Sequence, residues 1–215
     1  TLYNIRVLFL QGASAKNIIS DRTAQKGSEY TMFQIFVDSA ANLPAVIAKQ
    51  YHINVISFIN LVAGKEVTCY HPDLTPEEER EKGTEYYNAM RKGCEIKTGL
   101  ISTATFKDKF QEALQAGQDV LYFSLSKNIS GTYNSARLAA EDLADKGLNG
   151  HKIRLVDSLN ASLAQGILAI YASILRDKGM SVDETADFLE SCVGKMNGIF
   201  TVGDLKYLSH TGRIK

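Results

Sequence analysis

From residue 32 onward the chain alternates short apolar runs with stretches of helical periodicity. Phe33–Val37 is a compact apolar run that ends at Asp38, the pattern of a buried strand. Asn42-Leu43-Pro44 then opens a helix, with Asn42 as the expected N-cap and proline tolerated in the first turn. Residues 54–62 form a second, β-branched run. Thr75-Pro76-Glu77-Glu78 has the form of a capping box with proline at the first helical position, and its helix should reach about Arg91 and stop at Gly93. Phe106, Phe110 and Ala113 share a helix face. Asp119–Ser124 reads as a strand, followed by a helix with Tyr133, Ala136, Ala140 and Leu143 on one side. Residues 152–156 form the next strand, ending at Asp157. Leu163, Ile167, Ile170 and Ile174 line a helix closed by Gly179. Ser181-Val182-Asp183-Glu184 is a second capping box, and Val182, Ala186, Leu189, Val193 and Met196 continue one apolar stripe. A last strand is expected at residues 198–202.

Strands alternating with helices predict an α/β fold: a mostly parallel sheet flanked by helices, with right-handed crossovers. Ligands of such sheets lie at the carboxyl ends of the strands. The chain has 215 residues, 45% hydrophobic and 22% charged, enough for one large domain with a real core. Residues 1–31 hold a short apolar stretch, Ile5 to Leu10, and then a polar tract. A signal peptide would need a stronger charged region and a small-residue cleavage site, so an extension outside the fold is preferred. The apolar runs are too short and too broken to span a bilayer. Twenty-four basic residues balance twenty-four acidic ones, which disfavours a nucleic-acid partner. The three cysteines form no CxxC pair, so neither a metal site nor a disulfide framework is indicated. Reduced thiols in a bacterial-type cytoplasm are the simplest reading.

Candidate chemistry gathers at the expected strand ends. Asp38-Ser39 follows the first strand. Ser124-Leu125-Ser126 and Ser130-Gly131-Thr132-Tyr133 follow another, and Asp157-Ser158 a third. Thr98 to Thr103 adds a further hydroxyl cluster. Hydroxyls and free N–H groups at helix N-termini suit an anion such as carboxylate or phosphate, and Gly131 would let the backbone approach it. The same residue types are the favoured N-caps, so capping alone accounts for any single cluster. An enzymatic alternative is a serine-dependent hydrolase or phosphotransferase using Ser130. The G-x-S-x-G elbow is absent, and no histidine stands in an obvious pairing position. His52 and His151 precede strands, on the wrong sheet edge. His71 lies beside Pro72 and His210 near Gly212-Arg213. Phosphate-loop and dinucleotide glycine patterns are missing. Asp73, Glu77, Glu78, Glu79 and Glu81 fit dipole compensation at a helix start better than metal binding.

These segments together resemble the DegV family. Asp38-Ser39-Ala40-Ala41-Asn42-Leu43-Pro44 resembles its opening motif, and Ser130-Gly131-Thr132-Tyr133-Asn134-Ser135-Ala136 its most specific one. Val156-Asp157-Ser158 resembles a third signature. Asp204-Leu205-Lys206-Tyr207-Leu208 with Gly212-Arg213-Ile214 resembles a fourth. The resemblance implies a two-lobed α/β protein that encloses a long-chain fatty acid. Such proteins act as the lipid-binding subunit of a bacterial fatty acid kinase. A separate subunit similar to dihydroxyacetone kinase phosphorylates the bound acid. The resemblance therefore implies no catalytic residue, cofactor or metal in this chain. By motif, Thr98 and Ser130 would hydrogen-bond the carboxylate, with Gly131 and Thr132 in the same turn. Arg213 would close the head-group site with its guanidinium fork. Asp38, Ser39, Asp157 and Ser158 would shape the surrounding loops. The chain departs from the family at Thr98-Gly99-Leu100-Ile101-Ser102, where members usually read Thr-Ser-Gln-Pro-Ser. Family members also continue beyond the Gly-Arg motif. The implied organisation is an α/β lobe at residues 32–196 and the start of a truncated second lobe at 197–215.

Overall fold

The computed structural model describes residues 33–147 and 150–199. The expected extension at residues 1–31 and residues 200–202 of the last expected strand lie outside the described residues.

Four parallel strands form the main sheet: β1 (Phe33–Asp38), β2 (Ile53–Ile56), β6 (Asp119–Ser124) and β7 (Ile153–Asp157), in the order β2-β1-β6-β7. The helices are α1 (Ala45–Gln50), α2 (Pro76–Arg91), α3 (Thr103–Gln115), α4 (Thr132–Asp145), α5 (Leu163–Asp177) and α6 (Val182–Val193). Strand alternation decides which helix covers which face. Ile35, Val37, Leu121 and Phe123 point to one side, where Leu168, Ala169 and Ala172 of α5 and Ala186 and Leu189 of α6 cover them. Phe36, Val120 and Tyr122 point to the other and meet Phe106 and Phe110 of α3 with Ala136 and Ala139 of α4. Each large apolar side chain buried this way stabilises the fold by about 1.5–3 kcal/mol relative to exposure. The α/β class and the parallel sheet read from the sequence are those observed.

Two local expectations are corrected. The run at residues 54–62 is not one strand. β2 ends at Ile56, and β3 (Ile59–Val62) joins a second, antiparallel sheet with β4 (Lys65–Thr68) and β5 (Ile96–Thr98), in the order β4-β3-β5. The break has a polar cause. Ser57 Oγ accepts from the N–H groups of Cys69 and Tyr70, while the Phe58 N–H donates to Ser39 Oγ at 3.0 Å. Ala63 and Gly64, with φ of 49° and 78°, turn β3 into β4 through a two-residue connection. Only glycine adopts this backbone freely, and the alanine in first place hides the hairpin from a sequence reading.

The second correction concerns Asn42. It does not cap α1. It closes the short 3₁₀ turn Ser39–Ala41 in a left-handed conformation, and its side chain donates to Ser162 Oγ. The N-terminus of α1 is served instead by Glu79 of α2, whose carboxylate accepts from the Ala45 N–H at 2.8 Å. Helix α2 has the expected capping box at Thr75 and Glu78, yet none of its residues is buried. Polar contacts hold it: Glu79 to α1, and the Tyr86 hydroxyl, which accepts from the Asn60 side chain in β3.

Candidate functional site

Strand order places a topological switch point between β1 and β6. From β1 the chain turns to β2 on one side; from β6 it turns to β7 on the other. The loops leaving β1, β6 and β7 therefore diverge above one crevice, the place where such sheets hold ligands.

Asp38 sits at the bottom of this crevice and is fully buried. Its Oδ2 accepts from the Tyr122 hydroxyl and the Leu125 N–H, both at 2.8 Å, and its Oδ1 from the Ala40 N–H at 3.1 Å. One carboxylate thus caps the turn after β1 and anchors the loop after β6. Burial pushes its pKa up, and the hydrogen bonds from Leu125, Tyr122, Gln165 and Ala40 pull it back down. Ser39 ties the same turn to the second sheet through the Phe58 N–H.

The other loops are laced to these. Asp157 Oδ1 accepts from the N–H groups of Lys127 and Leu159. Ser158 is fully buried; its hydroxyl accepts from the Asn160 N–H and donates to the Asn160 carbonyl. The Ser126 N–H donates to that same carbonyl, the Ser158 N–H to Ser124 O, and the Ser162 N–H to Ala40 O. Leu159 and Ser162 hold positive φ values of 49° and 57° within this mesh. Such backbone costs energy and persists where surrounding contacts enforce it. Asp38, Ser39, Asp157 and Ser158 thus each hydrogen-bond within or between these loops.

Ser130, Gly131 and Thr132 form the turn into α4. The Ser130 hydroxyl donates to Thr132 Oγ1 at 2.9 Å and accepts from the Thr132 N–H at 3.2 Å. Thr132 is fully buried, so it stands behind Ser130, which is half-buried and nearer the surface. Gly131 is the N-cap, with no side-chain cap of its own, at φ of −74°. This backbone does not require glycine. What distinguishes the position is its neighbour: a Cβ placed on Gly131 would stand 3.4 Å from Leu100 Cδ1. Lys127, which the sequence reading missed, adds a cation. Its Nζ lies 3.7 Å from Asp157 Oδ2 and 5.9 Å from the centre of the Tyr133 ring. A groove of about 310 Å³ opens there, between Tyr133, Leu155, Leu159 and Val193.

Thr98 belongs to the second sheet. It ends β5 opposite Asn60 in the antiparallel sheet, exposed, and not at the end of a parallel strand. The segment after it comes close: the Gly99 N–H donates to Ile59 O, and Leu100 lies against Gly131. Ser102 caps α3. Arg213, with the rest of the fourth signature, lies outside the described residues. Asn160, Ser162 and Gln165 were also missed. Their roles come from contacts across loops that no local pattern encodes.

Among the described residues no group of three His, Cys, Asp or Glu could hold a metal, and no helix is long and apolar enough to cross a membrane. His151 pairs with Asp119 at 3.3 Å on the opposite sheet edge, as expected from its position before β7.

The comparisons with known proteins bear on this arrangement. A model of the DegV family, described as uncharacterised proteins, matches residues 32–215. A DegV domain-containing protein of Clostridium perfringens is 34% identical over 183 residues, 85% of this chain and 60% of the relative. One of Lactococcus lactis is 32% identical over 182 residues, 85% of this chain and 61% of the relative. The chain thus spans about 60% of the length of the curated relatives it matches. Among solved structures, a Thermotoga maritima protein with fatty acid binding function superposes with a TM-score of 0.73 at 27% identity, over 86% of this chain and 64% of that one. A DegV lipid-binding protein of the same organism gives 0.72 at 28%, over 85% and 62%. With the motifs, the switch-point loops and these matches in agreement, the chain belongs to the DegV family.

Proposed function

We propose that this chain binds a long-chain fatty acid with its carboxylate at the Ser130 turn and presents it to a separate kinase subunit. That subunit, similar to dihydroxyacetone kinase, would form the acyl phosphate. The observation that carries the reading is the Ser130 hydroxyl. It stands at the N-terminus of α4, on the ligand-bearing edge of the sheet, over loops locked by Asp38, Asp157 and Ser158. A helix N-terminus and a hydroxyl donor suit a carboxylate. Thr98 and Gly131 adjoin the head group in this reading, Thr132 orients Ser130, and Arg213 closes the site. Related structures described as fatty-acid-binding support the choice of ligand.

In this reading the chain does no chemistry of its own. Among the described residues the Ser130 hydroxyl hydrogen-bonds only to Thr132, and no base holds it, which weighs against a serine hydrolase. Residues 32–196 form the lipid-binding lobe and 197–215 begin the second. The unpaired thiols of Cys69, Cys94 and Cys192 suit a cytoplasmic protein.

The test is native mass spectrometry of the full-length protein purified from bacteria. A co-purified fatty acid is expected, and Ser130→Ala should weaken its rebinding by about tenfold, the loss of one charge-assisted hydrogen bond. Absence of bound lipid, with no uptake on addition, overturns the proposal. Addition of the kinase subunit and ATP should yield hydroxylamine-trappable acyl phosphate only when both proteins are present.

A further inference from the structure

Asn60, in the middle strand of the second sheet, is 8% exposed. One end of its amide is satisfied: Nδ2 donates to the Tyr86 hydroxyl of α2 at 2.7 Å. The other end, Oδ1, is buried with no hydrogen-bond partner among the described residues. Buried polar atoms are nearly always paired, because an orphan loses its hydration and gains no bond in return. Anchoring α2 needs only the Tyr86 end of the amide, so helix packing does not account for the second end.

The register of the sheet sets a hydroxyl beside it. Asn60 faces Val67 on one side and Thr98 on the other. The Gly99 N–H bonds to Ile59 O and the Ala63 N–H to Glu95 O, both at 3.0 Å, so Asn60 and Thr98 form a non-hydrogen-bonded pair between bonded ones. Side chains of such a pair share a face and stand at their closest. Val67 offers no polar atom. Thr98 is exposed, so its hydroxyl is open to a ligand.

We propose that Asn60 is a positioning residue of the head-group site, aiming the Thr98 hydroxyl at the ligand's carboxylate. The inference rests on the reading of Thr98 as a head-group contact. A threonine hydroxyl has one proton to give. If that proton goes to the Asn60 oxygen, none is left for the anion. A half-turn of the amide about its Cβ–Cγ bond removes the conflict. The Tyr86 hydroxyl, a donor as well as an acceptor, then donates to Asn60 Oδ1, and Asn60 Nδ2 donates to Thr98 Oγ1. The Thr98 proton is left for the ligand. The chain from Tyr86 through Asn60 and Thr98 to the anion runs donor to acceptor throughout, and each bond polarises the next. Both ends of the buried amide are then paired, and the same donor serves a carboxylate or an acyl phosphate.

The experiment uses the full-length protein and displacement of a fluorescent fatty acid by two competitors with the same tail, dodecanoate and the uncharged dodecanol. Wild type should prefer dodecanoate, and Thr98→Val should reduce that preference by about tenfold, the loss of one charge-assisted hydrogen bond. Asn60→Leu should reduce it by about fivefold and leave dodecanol binding unchanged. Tyr86→Phe, which keeps the ring and removes only the hydroxyl, should reduce it by about threefold. In the Thr98→Val background neither substitution should matter by more than about twofold, because the donor they aim is gone. Losses that multiply with that of Thr98→Val, or that weaken dodecanol as much as dodecanoate, overturn the positioning role. If Asn60→Leu does not fold, Tyr86→Phe decides by the same ratio and the same background. If Thr98→Val keeps the wild-type preference, the head-group reading of Thr98 falls, and this inference with it.

Discussion

Replacing Tyr122 by phenylalanine removes one hydroxyl from the fully buried end of β6 and should destabilise the fold in a pH-dependent way. The Tyr122 ring packs between Phe106 and Phe110, with centroids 5.0 and 6.0 Å away, and phenylalanine keeps that packing. What is lost is the hydrogen bond from the phenol to Asp38 Oδ2 at 2.8 Å. Oδ2 retains the Leu125 N–H, but a buried carboxylate has one donor fewer. Hydrogen bonds to charged groups contribute about 1.5–3 kcal/mol, so a loss of about 2 kcal/mol is expected at neutral pH. For a chain of this size that corresponds to a fall in Tm of about 4–8 °C. Burial raises the folded pKa of Asp38 above its ordinary value, and the Tyr122 bond opposes that rise. A group with a raised folded pKa takes up its proton first in the folded state. Its contribution to stability therefore grows as pH falls through the folded pKa, and levels off below the ordinary value. The variant raises the folded pKa further, so it should lie furthest below wild type at neutral pH and approach it towards about pH 4. Urea denaturation followed by far-ultraviolet circular dichroism at several pH values measures this. A loss below about 0.5 kcal/mol at neutral pH, or one that does not shrink on acidification, refutes the role given to Asp38.

Gly166 in α5 faces Leu43 and Ala41, and a Cβ there would stand 2.7 Å from Leu43 Cδ2 and 3.2 Å from Ala41 O. Gly166→Ala should therefore lower stability by about 1–3 kcal/mol in urea titrations despite its better helix propensity; a stabilised variant would refute the steric reading. Arg176 donates to Phe33 O, Tyr51 O and Ser173 Oγ at the opposite end of the sheet. Arg176→Lys should lower the thermal midpoint almost as much as Arg176→Ala, because a single ammonium cannot reproduce that fork. Asp183 is held below the usual carboxylate range by Lys152 and Arg154. Its contribution is present at neutral pH and is lost as pH falls through its lowered folded value. Asp183→Asn should flatten the acid limb of the stability–pH curve, and an unchanged limb would show that the pair adds nothing.

Much of this protein is legible in one dimension. The apolar runs of β1, β6 and β7, the capping boxes at Thr75 and Ser181, and the stripes of α3 and α6 follow from spacing alone, because burial on a strand or helix face repeats with the backbone period. In α5 the expected stripe of Leu163, Ile167, Ile170 and Ile174 is only half-buried, and Leu168, Ala169, Ala172 and Leu175 form the buried face. Repeated alternation of these elements is enough to imply the parallel sheet and the edge at which such sheets hold ligands. Hydroxyl-rich strand ends mark where chemistry can gather, and their order carries the family resemblance.

What only the tertiary structure decided are the contacts between segments distant in sequence. Glu79, not Asn42, serves the start of α1, because folding brings a carboxylate 34 residues away to a free N–H. Residues 57–62 leave the main sheet because Ser39 and Ser57 capture the Phe58 N–H and carbonyl that a continuous strand would have used. Asp38 is the pin of the β1–β6 crevice because strand order sets it beside Tyr122 and Leu125. Leu100 meets Gly131 because the second sheet delivers it there. Periodicity records which way a side chain faces; it does not record which distant group will be waiting, since that depends on how the elements pack.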